Sequence, residues 1–289
     1  VSPEQVRERE SRWAVPAALA AFAAVILMLL PGFVSSVSGS GEAEVLRSID
    51  AHGSSVTLSS GLQAVAFLLL AFPLAYLFIA ARARSERVLP AVLAIVIAAP
   101  LLVGVGTVLY GQARQEAADS FVAGEAKPTI SAQDLKEQCE DEKPVAGCEK
   151  EKREDDAASN ALSDASLTTP AGILTLGGGL LFAIGLFYTC LWAMRTGLLS
   201  RFWGSLGMAL GIAILLGFVI LAIVWFFYLG LLYLGFLPGS KPPAWEEGKA
   251  VAWQTPGERA AAELEPAETV EEDSAVEAGA ERRKRKQRE

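Results

Sequence analysis

Along this chain, apolar residues come in unbroken blocks rather than at helical or strand spacing. Five blocks stand out, at 13–34, 62–81, 89–110, 171–194 and a longer run over 202–237, with charge confined to the stretches before, between and after them. A water-soluble core would spread its apolar residues at a period of 3.6 or 2. A helix rises about 1.5 Å per residue against a hydrocarbon layer about 30 Å thick, so about 20 apolar residues cross once. The first four blocks have that length, which predicts an all-α, polytopic transmembrane helix bundle. Pro73 and Pro100 lie inside the second and third blocks, where each is expected to kink its helix without ending it.

The final run of 36 residues would measure about 54 Å as one helix, too long for one upright crossing and slightly short for two. A five-span reading ends the helix near Trp225 and Tyr228, as an outer aromatic belt. The six-span reading, which we take as the expectation, runs a fifth helix over 198–216, turns around Gly217 and returns over 218–237. The remaining segments are then an N-terminal stretch 1–12, loops at 35–61, 82–88, 111–170 and 195–197, and a largely disordered tail over 238–289.

Orientation follows from the short loops. Arg7, Arg9 and Arg12 precede the first block, Arg82, Arg84 and Arg87 separate the second from the third, and Arg195 and Arg201 flank the turn after the fourth. The first loop on the opposite side carries Arg47 alone among arginines and lysines. Positive-inside counting places the N-terminus and the arginine-bearing loops in the cytoplasm, with 37–61 and 111–170 outside, and the six-span reading brings the C-terminus to the cytoplasm as well. The arginines ahead of the first block and the triplet Ser36-Val37-Ser38 also suit a cleavable signal peptide. The block is long for that, and Glu4, Glu8 and Glu10 make its leader mixed in charge, so an uncleaved first span is the expectation.

The chain has 289 residues, is 52% hydrophobic and carries a net charge of −8, with a mean hydropathy of +0.36. That net charge sums an acidic middle, an acidic tail and a basic extreme end, and a sequence pI near 5.0 argues against nucleic acid as a partner. The basic end, Arg282-Arg283-Lys284-Arg285-Lys286, can touch anionic lipid if it is cytoplasmic.

The 111–170 loop holds 14 acids against 7 bases. Within it Lys150–Asp156 is almost wholly charged, which predicts a solvated helix or disorder. Cys139 and Cys148 lie here with Pro144 and Gly147 between them to help the chain double back. In an oxidising compartment they are expected to form a structural disulfide, since their spacing is not that of a C-x-x-C redox centre. Closing a loop of about 10 residues restricts the unfolded chain by roughly 2–3 kcal/mol. Cys190, inside the fourth block, is expected to be an inert buried thiol. The acids of the loop lack the alternating ligands of an EF-hand, and His52 is the sole histidine, so neither a metal nor a cofactor site is expected. In the first loop, Val45, Leu46 and Ile49 share one face of a short amphipathic helix with acids near its start.

Inside the blocks no ionisable residue interrupts the apolar run, whereas ion-coupled transporters place such groups within their spans. The polar residues there are Gln63, Thr107, Thr175, Thr189 and Ser205, and Gln63 is the first candidate for a polar contact between helices. The pairs Ala17/Ala21, Ala20/Ala24 and Gly207/Gly211 have the small-x-x-x-small spacing of close helix packing. Gly177-Gly178-Gly179 suits packing too, or a loosened helix along a substrate path.

Gly197-Leu198-Leu199-Ser200-Arg201-Phe202-Trp203-Gly204, Leu206-Gly207, and later Leu237-Pro238-Gly239-Ser240-Lys241-Pro242-Pro243-Ala244-Trp245-Glu246 form a pattern similar to the C-terminal region of uncharacterised six-span membrane proteins of high-GC Gram-positive bacteria. The resemblance covers about 50 residues and implies six spans. It implies no activity. The function expected from the residues is a non-enzymatic interaction or accessory component, meeting an unidentified membrane or extracytoplasmic protein through its acidic outer loop. The runner-up is a small-molecule transporter or channel subunit. No loop gathers a nucleophile, a base and an orienting group, so an enzyme is the third choice.

Overall fold

A chain without water around it must satisfy its backbone internally, and the apolar blocks do so as helices that reach well beyond their apolar limits. The computed structural model describes residues 2–34, 37–140, 145–216, 218–237 and 241–251, and all regular structure among them is helical. The tail from 252 onward, with its basic end, lies outside the described residues, as does Gly217.

Helix α1 (Pro3–Leu29) begins ten residues before the apolar block because Ser2 and Gln5 form a capping box and Pro3 sits in the first turn. A short α2 (Pro31–Val34) follows, then α3 (Glu42–Ala51), α4 (Gly53–Arg84) and α5 (Val92–Val122). The chain continues through α6 (Ala132–Cys139), α7 (Val145–Asp164), α8 (Thr168–Arg195), α9 (Arg201–Leu215), α10 (Val219–Leu234) and α11 (Pro243–Glu247). Four helical stretches, 3–33, α4, α5 and α8, are long and apolar enough to cross a membrane. The chain is thus a multipass helical membrane protein. Pro73 and Pro100 are carried inside α4 and α5 without a break.

In the bundle α5 packs on α4 and α8, α8 on α9, and α1 on α4 and α10. The seams are made by residues with little or no side chain. A β-carbon on Gly178 would lie 2.9 Å from the Val103 backbone nitrogen, and one on Gly104 would lie 3.2 Å from the Ala64 carbonyl oxygen. Such approaches let α8 and α4 each rest against the α5 backbone.

The long last run is broken rather than continuous. Trp203, in the first turn of α9, stacks on Tyr228 of α10 with ring centroids 3.7 Å apart, and its carbonyl accepts the Trp225 indole N–H at 2.9 Å. Gly207 faces the Trp225 ring as well. From pair 203/228 to pair 207/225 the numbering rises on α9 and falls on α10, so the two helices run antiparallel as a hairpin. Its arms have 15 and 16 residues, about 22 and 24 Å.

Helices α4 and α5, at 32 and 31 residues, are about 48 and 46 Å long and outlast the hydrocarbon layer. At one end their overhang joins α3, α7 and the start of α8 around a second core. That core is built on Leu46, Ile49, Val56, Ala113, Ala117, Ala118, Ala158 and Ala161. This cap is therefore a folded helical unit, where the sequence suggests a loop of mixed order.

Candidate functional site

The polar groups of the molecule gather at its two ends, the cap and the arginine-bearing end. At the cap, Asp155 accepts the Ala43 backbone N–H at 3.0 Å, at the N-terminus of α3 where donors are free. A β-carbon on Gly41 would collide with that carboxylate. Arg47 pairs with Glu154 at 2.6 Å and lies over the Phe121 ring, and this hydrogen bond holds Glu154 below the usual carboxylate range. Asp156 accepts the backbone N–H groups of Thr129 and Ile130 and an amide hydrogen of Asn160. Gln115 crosses from α5 to donate to the Gly53 carbonyl at 2.6 Å and to Thr57 at 2.7 Å. Segment 150–156 is helical, as one reading of its charge pattern has it, but three of its acids are fasteners for neighbouring backbone rather than a solvated face. Cys139 and Cys148 are joined by a disulfide that clips α6 to α7.

The Thr129 and Ile130 N–H groups depress the Asp156 pKa below its ordinary 3.8. A group lowered by folding contributes stability above its unfolded value, and loses it as pH falls through the folded one. Acidification below about pH 4 should therefore loosen the 127–131 connection. At neutral pH Asp156→Ala should speed amide exchange at Thr129 and Ile130 by about fivefold or more, as the loss of a net hydrogen bond implies. Exchange measured by mass spectrometry that is unchanged at both residues would refute the assigned role.

Beside these contacts lies a cleft of about 500 Å³ bordered by Ser40, Glu42, Tyr110, Arg114 and Asp155. His52 forms the corner between α3 and α4, its Nδ1 3.0 Å from the Ser48 carbonyl oxygen. Among the described residues no group of His, Cys, Asp or Glu is arranged to hold a metal; Asp141 and Glu142 lie outside them.

At the opposite end is a feature that inspection of the apolar blocks misses. Arg84, in the last turn of α4, has its side chain wholly enclosed and forms a forked ion pair with Glu10 of α1. All five guanidinium N–H donors are engaged. Two go to the Glu10 carboxylate, two to the Ala244 carbonyl at 2.8 and 3.1 Å, and one to the Ala80 carbonyl at 2.9 Å. Arg84 also lies over the Trp245 ring, which stacks on Tyr76. Tyr76 in turn donates to the Glu10 carbonyl at 3.0 Å.

Residues 241–251, the first part of the tail over 238–289, form an ordered strap across this end. The Trp245 indole donates to the Leu198 carbonyl at 3.0 Å, Arg7 to that of Glu246 at 3.3 Å, and the Val251 N–H to that of Thr196 at 3.2 Å. Lys241 donates to the Tyr233 carbonyl at 2.9 Å, and burial lowers its pKa against the opposing pull of Glu10 and Glu246.

The other residues singled out from the sequence fall as follows. Ala17 and Ala21 are fully buried on a helix that packs against α4 and α10. Gly207 faces Cys190 and Trp225, and Gly211 faces the Ala183 backbone. Gln63 is exposed and makes no side-chain hydrogen bond among the described residues. Thr107, Thr189 and Ser205 bond carbonyls of their own helices, an intrahelical outlet for hydroxyls in apolar surroundings. Arg82, Arg87, Arg195 and Arg201 are exposed, whereas Arg84 is the buried partner of Glu10. The lock is hidden from a block-by-block reading because Glu10 and Arg84 each sit just outside an apolar block. Their helical continuity, signalled by the Ser2–Gln5 capping box, was the available clue.

Compared with protein-family models, curated proteins and solved structures, the chain matches none.

Proposed function

We propose that the protein is a six-crossing component of a bacterial plasma membrane, with its arginine-bearing end and strap in the cytoplasm. In this reading the α9–α10 hairpin supplies two short crossings. The exposed Arg82, Arg87, Arg195 and Arg201 favour the cytoplasmic placement by the positive-inside rule. The C-terminal similarity to uncharacterised six-span proteins of high-GC Gram-positive bacteria fits the same arrangement.

Its role is that of an interaction partner acting through the cap rather than a catalyst or carrier. The observation behind this is how the charges of the cap divide. Glu154, Asp155 and Asp156 are spent on internal fastening, while Glu137, Glu140 and Glu151 stand exposed on the disulfide-clipped α6–α7 arm. Lys136, Lys150, Lys152 and Arg153 are exposed beside them, and a covalently held arm of mixed charge, cheap to present because it is already ordered, suits a partner with a complementary charged surface. The tight seams along α5 support this over the transporter reading, since they fill the middle of the bundle with packed backbone.

A photo-crosslinking residue at position 137 or 151 in native membranes should capture one discrete protein. Charge reversal to lysine at Glu140 and at whichever of Glu137 and Glu151 does not carry the crosslinker should abolish the adduct. Solute flux through vesicles containing the purified protein, with no adduct in cells, would favour transport instead. A compartment-sensitive reporter after Lys249 should signal from the cytoplasm, and an external signal would overturn the six-crossing topology.

A further inference from the structure

The arginines not consumed by the lock border a cleft of about 480 Å³ beside it. Its walls are Arg84, Ser85, Arg87, Trp192, Arg195, Thr196 and Ala250. Arg84 has no N–H left to offer, and its charge is matched by Glu10. Arg87 and Arg195 are different. Both are exposed, and neither has a carboxylate partner among the described residues. The Arg195 guanidinium is held over the Trp192 ring at 5.3 Å, which fixes it at the mouth of the cleft without using its donors. Among the described residues the Ser85 hydroxyl makes no hydrogen bond, whereas that of Thr196 is occupied by the Trp192 carbonyl at 2.8 Å.

Among the described residues no carboxylate lines the cleft. The nearby end of α8 is also closed off, with the Ala193 carbonyl accepting from Leu198 and Leu199 and that of Thr196 accepting from Val251. The free chemistry is thus two guanidinium forks and a hydroxyl, all donors, around a space too large for a single water. Planar forks match the oxygens of a phosphate better than any other common anion except a carboxylate. The position narrows the choice. Trp192 and Arg195 lie in the last turn of α8, and Arg87 precedes by two residues the exposed Leu89, whose N–H is bonded to the Tyr188 hydroxyl at 2.8 Å. Aromatic rings and arginines at the end of a membrane helix mark the level of lipid phosphates.

We propose that this cleft binds a phosphate anion, presented by the headgroup of an anionic phospholipid and gripped by Arg87 and Arg195. The site is separate from the cap, and its occupancy does not depend on any partner there.

The test is native mass spectrometry of the full chain released from nanodiscs containing equal phosphatidylglycerol and phosphatidylcholine. The wild type should retain phosphatidylglycerol preferentially, and R87Q/R195Q should reduce that retention at least about tenfold, the loss of a charge-assisted contact or more. R87K/R195K should keep part of it, because charge survives without the forks. Both positions are exposed, so an unchanged melting temperature is expected and serves as the control for folding. R201Q removes a neighbouring exposed arginine outside the cleft and should leave retention intact. Equal loss in R201Q, or undiminished preference in R87Q/R195Q, would overturn the site. Millimolar inorganic phosphate should fail to displace the lipid. A wild type without headgroup preference that binds inorganic phosphate through these two arginines would overturn the lipid as its source.

Discussion

Arg84→Ala should destabilise the folded protein by about 3–5 kcal/mol, the usual consequence of breaking a buried ion pair from one side. The physical cause is what stays behind. The Glu10 carboxylate, with only 8% of its side chain exposed, would lose its counter-charge. The Ala80 and Ala244 carbonyls would lose donors as well. The loss should show as a lowered melting temperature in detergent and as increased labelling of a cysteine placed at position 246, because Ala244 anchors the strap. Glu10→Met/Arg84→Met together should recover most of the stability, since a buried pair roughly balances its own desolvation against its attraction. If the double variant melts no higher than Arg84→Ala, the two residues are not coupled as the geometry requires.

The second large effect is expected at Gly178→Leu. Its β-carbon alone would sit 2.9 Å from both the Leu102 β-carbon and the Val103 nitrogen, so α5 must move away from α8. Overpacking of this sort costs about 1–3 kcal/mol and sometimes more, and contact with backbone places this case at the upper end. The neighbouring Gly177 meets nothing within 4 Å. Gly177→Leu should therefore be neutral or slightly stabilising, as removal of a mid-helix glycine generally is. Two adjacent glycines thus give opposite outcomes in the same thermal-shift assay. Equal sensitivity at both positions would contradict the α5–α8 seam.

The membrane character was plain from the blocks because charge-free runs of that length have few other uses. Where helices begin and end was less legible. A block marks where a helix is apolar, while caps and overhanging turns decide its length. Thus α4 starts at Gly53 rather than 62, and α5 runs on to Val122 rather than 110. The cap was read as a loop of mixed order because its core is mostly alanine, a residue that signals burial weakly. The cysteine pair was legible from spacing and compartment alone. The buried ion pair was not, since its members are 74 residues apart, and only tertiary packing brings them together. Gln63 illustrates the same point: its position in the helix was clear, but the direction in which it points depends on which neighbours surround α4.

Helix α4 is anchored at both extremes, to Gln115 through the Gly53 carbonyl and to Glu10 through Arg84. Between them runs a single rod with no linker to absorb strain; even Pro73 is steadied, its carbonyl held by the Tyr233 hydroxyl at 2.8 Å. Torque applied at the cap would thus be borne along one continuous shaft and felt at the arginine end as load on the ion pair.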